Sequence, residues 1–320
     1  MIVIASDKFK GTLSSLEAGE SIRCGLAGLE RDIRVVAMAD GGEGTAEALG
    51  AANVAGRYYA FADADGALCA YVPSCGEGML WQSGLRQPAL PVWLRSTSPV
   101  GAAVVEASRA RAYDRIYIGI GGTMTADCGL GMFTEIKKAG IATDNIIGLA
   151  DVSAPLYSSE GLSAISFLAQ KGAGDSDVEF CRKFFKALYS RYGSCNDRHG
   201  GAGGGIGYAL ETILGCTVIA GAPFVLDRAI AGMPAPELLV TGEGRIDCQT
   251  LGGKVVGAVR SYGKARGIPV AAFCGSKEDG MSMPNVFACV ADGAPIPESP
   301  AESLEKCACA AIEEIRKLYT

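Results

Sequence analysis

The chain has a single histidine, His199, only two tryptophans, and no Cys-x-x-Cys among its 320 residues. One imidazole excludes a poly-histidine metal centre and argues against a serine–histidine triad. Twelve cysteines without metal-ligand spacing read as small hydrophobes in a reducing cytosol. Cys24, Cys216, Cys274 and Cys289 each stand alone in apolar runs, and Cys307 and Cys309 fall on different faces of an expected helix. Basic excess is missing too: 29 Lys and Arg stand against 35 Asp and Glu, a net charge of −6. No basic face is available to displace counterions, so a nucleic-acid partner is not expected. No uninterrupted apolar run approaches the roughly 18 residues of a membrane span, and MIVIASDKFKG lacks the basic and apolar regions of a leader. The expectation is a soluble cytoplasmic protein with no membrane partner. Neither G-x-G-x-x-G in register nor G-x-x-x-x-G-K-[ST] occurs, so the dinucleotide fingerprint and the P-loop are both absent.

What is present is a glycine-rich, apolar chain. Hydrophobic residues make up 49% and charged residues 20%, and the mean hydropathy is +0.22. That balance excludes disorder. The 44 glycines follow no collagen period and point to tight turns and close backbone approaches. At about 100–200 residues per domain, the length suits two domains.

Residues 1–5, MIVIA, form a short β-rich run of the kind buried on both faces. The polar SDKFKG leads to a helix with Ser14 and Glu17 as a capping box and Ala18, Ile22, Leu26 and Leu29 on one face. RVVAMA ends at Asp40 and opens through GGEGT into a short helix at 46–49. The same grammar returns late in the chain. ELLVT leads into a turn, GEGRID, then a helix over about 254–265. IPVAAFC is a strand, and VFACVA ends at Asp292. Ser299, Pro300 and Glu302 then supply the cap of a last helix that buries Leu304, Cys307 or Ala308, Ala311, Ile315 and Leu318. Strands alternating with helices predict a Rossmann-like open parallel sheet, formed by residues 1–60 and 225–320. Residues 61–224 read as a second, inserted α/β domain, with turn signals at DADG, CGEG and SPVG and the strand IYIGIGG.

Ligands of such sheets bind beyond the carboxyl ends of the strands. Asp7, Asp40, Glu243 with Asp247, and Asp292 all fall at those ends, suggesting an acidic, glycine-lined crevice suited to Mg2+ and phosphate. Lys10, Lys171, Arg245 and Lys254 sit in or beside the same turns, where phosphoryl transfer would need cations. Lys254 at a helix start opposes the helix dipole, as an anion-binding residue would. The glycine loop at 200–207 suits either a phosphate cradle or close helix packing, and so does 121–123.

The motifs together resemble the bacterial glycerate kinase family. They are SDKFKGTLSSLEA at 6–18, ADGGEGT at 39–45, GIGGTMTADCGLGM at 119–132, DVSAPL at 151–156, QKGA at 170–173, GAGGGIG at 201–207 and TGEGRIDCQTLGGK at 241–254. They stand in the family's order along most of the chain. The chain departs from the family's motifs at four places, and the linker between Lys138 and Asp151 is short. Ser6 and Lys8 replace the residues of PDSFKG, and GGTMTADCG replaces GGSATNDGG with Ala126 and Cys128 at the Asn and Gly positions. FLAQKG stands for FGPQKG, and TSPVGAA stands where a TSxGxGE stretch is usual.

The resemblance implies transfer of the ATP γ-phosphate to a hydroxyl of D-glycerate with Mg2+, in a cleft between the two domains. 2-Phosphoglycerate is the expected product and 3-phosphoglycerate the alternative. Asp7, Lys10, Asp127, Arg245 and Asp247 are the expected catalytic residues. Lys10 and Arg245 would hold the glycerate carboxylate or the moving phosphate, and Asp7 or Asp127 would position or deprotonate the acceptor hydroxyl. Asp40, Glu43, Lys171, Glu243 and Lys254 are expected around the substrate, and Asp40, Glu43 or Asp247 around the metal. Gly121, Gly122, Thr123, Gly203, Gly204 and Gly205 are expected along the nucleotide phosphates. The alternatives are a member that binds a hydroxy acid or nucleotide without turnover, or a kinase of a related hydroxy acid. A homodimer is left open.

Overall fold

A computed structural model describes residues 1–54, 56–75, 90–158, 161–193, 198–247, 250 and 254–319. The strands in chain order are β1 Ile2–Ile4, β2 Ile33–Val35, β3 Ala52–Asn53, β4 Tyr59–Ala62, β5 Leu68–Pro73, β6 Arg115–Gly119, β7 Ile146–Ala150, β8 Thr217–Ala220, β9 Leu238–Ile246, β10 Val270–Lys277 and β11 Val286–Ala288. They divide between two compact units, Met1–Ala39 with Ala222–Thr320, and Asp40–Gly221.

The first unit is a five-stranded sheet in the order β11-β10-β9-β1-β2, and every pairing is parallel. The apolar run at the start becomes β1, whose Ile2, Val3 and Ile4 have no exposed surface. On one face Ile2, Ile4, Leu238, Val240 and Phe273 pack with Ala18 and Ile22 from helix Ser15–Gly25 and Leu304 and Ala308 from helix Pro300–Ala310. Full burial of each such Ile, Leu or Phe contributes about 1.5–3 kcal/mol. The first helix starts on the expected capping box: Ser14 Oγ accepts from Glu17 N–H, and Glu17 accepts from Ser14 N–H at 2.8 Å. Gly25 lets the two helices touch, since a Cβ there would sit 2.3 Å from the Glu305 carbonyl. The opposite face carries Ile246, Val256, Ala272 and Cys274.

The second unit holds a six-stranded sheet, β3-β4-β5-β6-β7-β8. β3, β4 and β5 run antiparallel, and β5 to β8 are parallel. One core joins Val72, Ile116 and Ile118 to Val104 and Met132 of helices Ser98–Ala110 and Leu130–Ala139. Another gathers Leu156, Leu168 and Tyr208 around Cys181, Phe185 and Leu188 of helix Asp175–Tyr192.

The observed elements differ from expectation in four ways. The first boundary falls after Ala39 rather than near residue 60, because 52–62 pairs into the second sheet through β5. The GEGRID turn is strand through Ile246, with Glu243 opposite Cys274 and Arg245 opposite Ser276. The glycines make this pairing feasible: a Cβ at Gly242 or Gly275 would lie 2.6 or 2.5 Å from a neighbouring strand carbonyl. The cap of the last long helix forms no side-chain hydrogen bond from Ser299; Glu302 pairs with Lys306 instead. Of RVVAMA only Arg34 and Val35 are strand, as the end of β2. The glycines before Lys254 and part of the CGEG turn lie outside the described residues.

Candidate functional site

In the first unit the carboxyl ends of the parallel strands carry the expected groups. After β1 the chain turns at Asp7, whose N–H donates to the Gly242 carbonyl at 2.8 Å and whose Oδ1 accepts from Lys8 N–H at 2.8 Å. Phe9 and Leu13 then bridge, leaving Lys10 exposed at the tip of the loop. On β9, Arg245 projects outward with 54% of its side chain exposed and meets Asp292, which follows β11, at 3.2 Å. Lys10 and Arg245 line one cleft of about 280 Å3, together with Phe9, Gly244, Cys289 and Ile296. A concave, mostly apolar wall carrying two cations suits a small anionic ligand.

Glu243 and Asp247 take a different part. Glu243 is only 5% exposed and accepts from the Thr250 hydroxyl. That hydroxyl also receives the Asp247 N–H at 3.0 Å. The Thr250 hydroxyl therefore links the Glu243 carboxylate to the Asp247 backbone, and neither acid lines the cleft. Lys254 caps helix Val255–Arg266 in an extended backbone conformation and also lies off the cleft.

In the second unit, Ser74 follows β5, Gly121–Gly122 follows β6 and Asp151 follows β7. The turn that begins at Asp40 lies across this edge. Gly121 N–H donates to the Gly41 carbonyl at 3.2 Å, and Asp40 Oδ1 accepts from Gly42 N–H at 3.1 Å. A Cβ at Gly121 would sit 3.0 Å from both the Asp151 Cβ and the Gly42 backbone, so glycine is what admits this convergence. Asp151 was not singled out from the sequence as a site residue, although its motif was. Burial, then the Asp40 carboxylate, push its carboxyl up to about 7, against the attraction of Lys171. A single aspartate after a strand has no signal distinguishing it from a turn former; only proximity to Asp40 does. Gly122 is exposed with φ +72°, and the buried Ser74 and Thr125 hydroxyls have no hydrogen-bond partner among the described residues.

Three expected site residues serve the architecture of this unit. Lys171 is 8% exposed, and its ammonium donates to Thr123 O at 2.6 Å, Thr123 Oγ1 at 2.9 Å and Thr125 O at 3.0 Å. With all three donors used, it ties down the loop and is not free for substrate. Burial lowers its pKa to about 8, with Arg95 adding to the effect and Asp151 opposing it. Thr123 is engaged as the acceptor of that lysine. Asp127 accepts from Thr97 N–H and Oγ–H, both at 2.8 Å, and from Gly129 and Gly131 N–H. It holds the start of helix Leu130–Ala139; burial raises its pKa and these donors oppose the rise. Glu43 is exposed.

The loop at 203–205 packs internally. Gly203, Gly204 and Gly205 all have positive φ. A Cβ on them would meet Ile120 O at 2.8 Å, Thr125 O at 1.9 Å and Cys128 Cα at 2.7 Å. Of the two sequence readings, this geometry supports close packing over a phosphate cradle. Among the described residues, no three or more His, Cys, Asp or Glu side chains gather as a metal site. No described helix is long and apolar enough to cross a membrane.

A sequence model of the glycerate kinase family matches residues 2–140 and 137–318. The glycerate kinase of Bacillus subtilis strain 168 is 31% identical, over 86% of this chain and 85% of that protein. The glycerate 2-kinase of Escherichia coli K12 is 29% identical, over 88% and 87%. A crystal structure from Salmonella typhimurium LT2, provisionally assigned as glycerate kinase 2, superposes with a TM-score of 0.69 at 25% identity. It covers 99% of this chain and 98% of its own. Two α/β units with parallel-dominated sheets, together with these likenesses, define an α/β kinase. The chain belongs to the glycerate kinase family.

Proposed function

We propose that the protein transfers the γ-phosphoryl group of ATP to a hydroxyl of D-glycerate, giving 2-phosphoglycerate. The observation that carries this reading is the pair of cations, Lys10 and Arg245, on one small cleft at the carboxyl edge of the first sheet. Arg245 presents a planar fork to a carboxylate, and Asp292 holds that fork in place. Lys10 contributes a point charge for the carboxylate or the arriving phosphoryl oxygens. Asp7 does not itself line the cleft, but it stands on the same loop as Lys10 and is assigned to accept the hydroxyl proton; a weak base suffices because the transition state is loose and proton removal comes late.

The second unit suits the nucleotide phosphates, with the exposed Gly122 backbone and the Ser74 hydroxyl as donors. Its donor set also fits Mg2+. Burial and the Asp40 charge disfavour ionised Asp151, and a divalent cation would relieve that penalty. Mg2+ is commonly held by one or two carboxylates plus substrate phosphates, without a full protein cage. Asp40 and Asp151 would hold the ion, which neutralises phosphate charge when bound.

The departures at Ala126 and Cys128 support retained activity, because both side chains are fully buried in a core cluster. Both substitutions therefore fall in the interior of this unit. The choice of 2-phosphoglycerate is supported by the name of the E. coli relative. An ADP-release assay with Mg2+ over a panel of hydroxy acids tests the reading, with product position read by phosphorus NMR. ADP release with D-glycerate and a phosphoryl group on O2 is the expected result. No ADP release with D-glycerate would refute the activity, and phosphorylation at O3 would refute the regiochemistry.

A further inference from the structure

The cleft wall contains a thiol pair that the proposed chemistry does not use. Cys289 follows β11, and its N–H donates to the Cys274 carbonyl at 2.9 Å. Cys307 comes from helix Pro300–Ala310. Their thiols lie close enough to interact electrostatically with each other, and Ser303 faces Cys289 as well. Both are partly buried against the same core, while Cys289 and Ser303 line the cleft and so are reached from solvent. The chain between the two cysteines is the cleft's outer wall: Val290, Ala294, Ile296 and Pro297 line it, and Asp292, the partner of Arg245, lies in it.

We propose that Cys289 and Cys307 are a modification site for peroxides, forming a reversible disulfide that staples this wall. The thiolate of Cys289 attacks one peroxide oxygen; the O–O bond breaks, and the leaving hydroxide takes a proton to become water. The resulting Cys289 sulfenic acid is attacked by the Cys307 sulfur, which gives up its proton. The S–O bond breaks, the S–S bond forms, and the second hydroxide leaves as water. Two thiols lose two electrons and two protons, and one peroxide becomes two waters. The order of events follows from this proximity: Cys307 and Ser303 lower the Cys289 pKa, while Cys289 raises that of Cys307. Cys274 is the third thiol of the group, but burial pushes it up to about 12, which leaves it protonated and unreactive.

The test treats the full chain with hydrogen peroxide, blocks remaining thiols with iodoacetamide, and maps the peptides by mass spectrometry. The expected product is a peptide pair joined through Cys289 and Cys307 and separated by dithiothreitol. In Cys307→Ser the sulfenic acid of Cys289 should instead be trapped by dimedone, and Cys289→Ser should give neither product. Both cysteines alkylated after peroxide, or a disulfide through Cys274, would overturn the pairing. Oxidation is expected to lower kcat/KM for D-glycerate about tenfold by displacing the wall, reversibly, with Cys307→Ser insensitive and otherwise unchanged. A mapped disulfide with unaltered kinetics would overturn the link to the cleft. The mapping needs no enzymatic activity, so failure of the kinase reading is distinguishable from failure of this one.

Discussion

Replacing Asp151 with Asn should stabilise the protein in a pH-dependent way while impairing catalysis. In the native state this carboxyl lies against the backbone of 121–122, and burial and the Asp40 charge raise it from 3.8 to about 7. The sign follows from proton binding. Well below pH 3.8 the group holds its proton in both states. As pH rises, the unfolded chain ionises first while the native state keeps its proton, so stability falls until the native group ionises near pH 7. A rise from 3.8 to about 7 corresponds to about 4 kcal/mol at full ionisation. Asparagine keeps the shape without the charge, so the variant should exceed the parent by about 2–4 kcal/mol at pH 8 and approach it near pH 4. Urea unfolding of both proteins at the two pH values, without nucleotide or Mg2+, measures the difference. Equal stabilities at both pH values, or a variant less stable at pH 8, would refute the account in which burial and the Asp40 charge raise this carboxyl. The same variant should need more Mg2+ for half-maximal activity.

Other perturbations separate architecture from chemistry. Arg245→Ala should leave the melting temperature almost unchanged, since an exposed ion pair contributes less than about 1 kcal/mol, yet lower kcat/KM for D-glycerate by about 100-fold or more. Full activity in that folded variant would remove Arg245 from the mechanism. Lys171→Met should destabilise by about 3–5 kcal/mol, because it strands three buried acceptors. The parent's lowered lysine contributes stability that is present above 10.5 and lost as pH falls through about 8; the Met variant should show no such dependence in urea titrations. Gly204→Ala, with its Cβ 1.9 Å from the Thr125 carbonyl at φ +66°, should cost about 3 kcal/mol; calorimetry showing no loss would contradict the packing role.

The parts legible in the sequence are those set by local chemistry. The capping box at Ser14 and Glu17 closes within one helical turn, and the spacing of Ala18, Ile22, Leu26 and Leu29 buries one stripe wherever the helix docks. Lys10 and Arg245 read as site cations because each stands in a short polar segment, and the two line one cleft. The cap at Ser299 was legible as a pattern but did not form; Glu302 found Lys306 one turn on.

Lys171 and Asp151 mark the limit. A lysine after Gln170 reads the same whether its ammonium faces solvent or donates inward to Thr123 and Thr125. Likewise the glycines of 203–205 give equal licence to a phosphate and to a neighbouring strand until the chain at 120–128 fills the space above them.

Hydrophobic period, turn chemistry and capping are short-range, so the order of strands and helices and the acidic, glycine-bearing strand ends were determined by the sequence alone. Which charges face a ligand was decided only by tertiary structure. A side chain's partner there comes from residues tens of positions away, as with Lys171 and Thr123 or Asp40 and Asp151, and burial sets both its direction and its proton affinity.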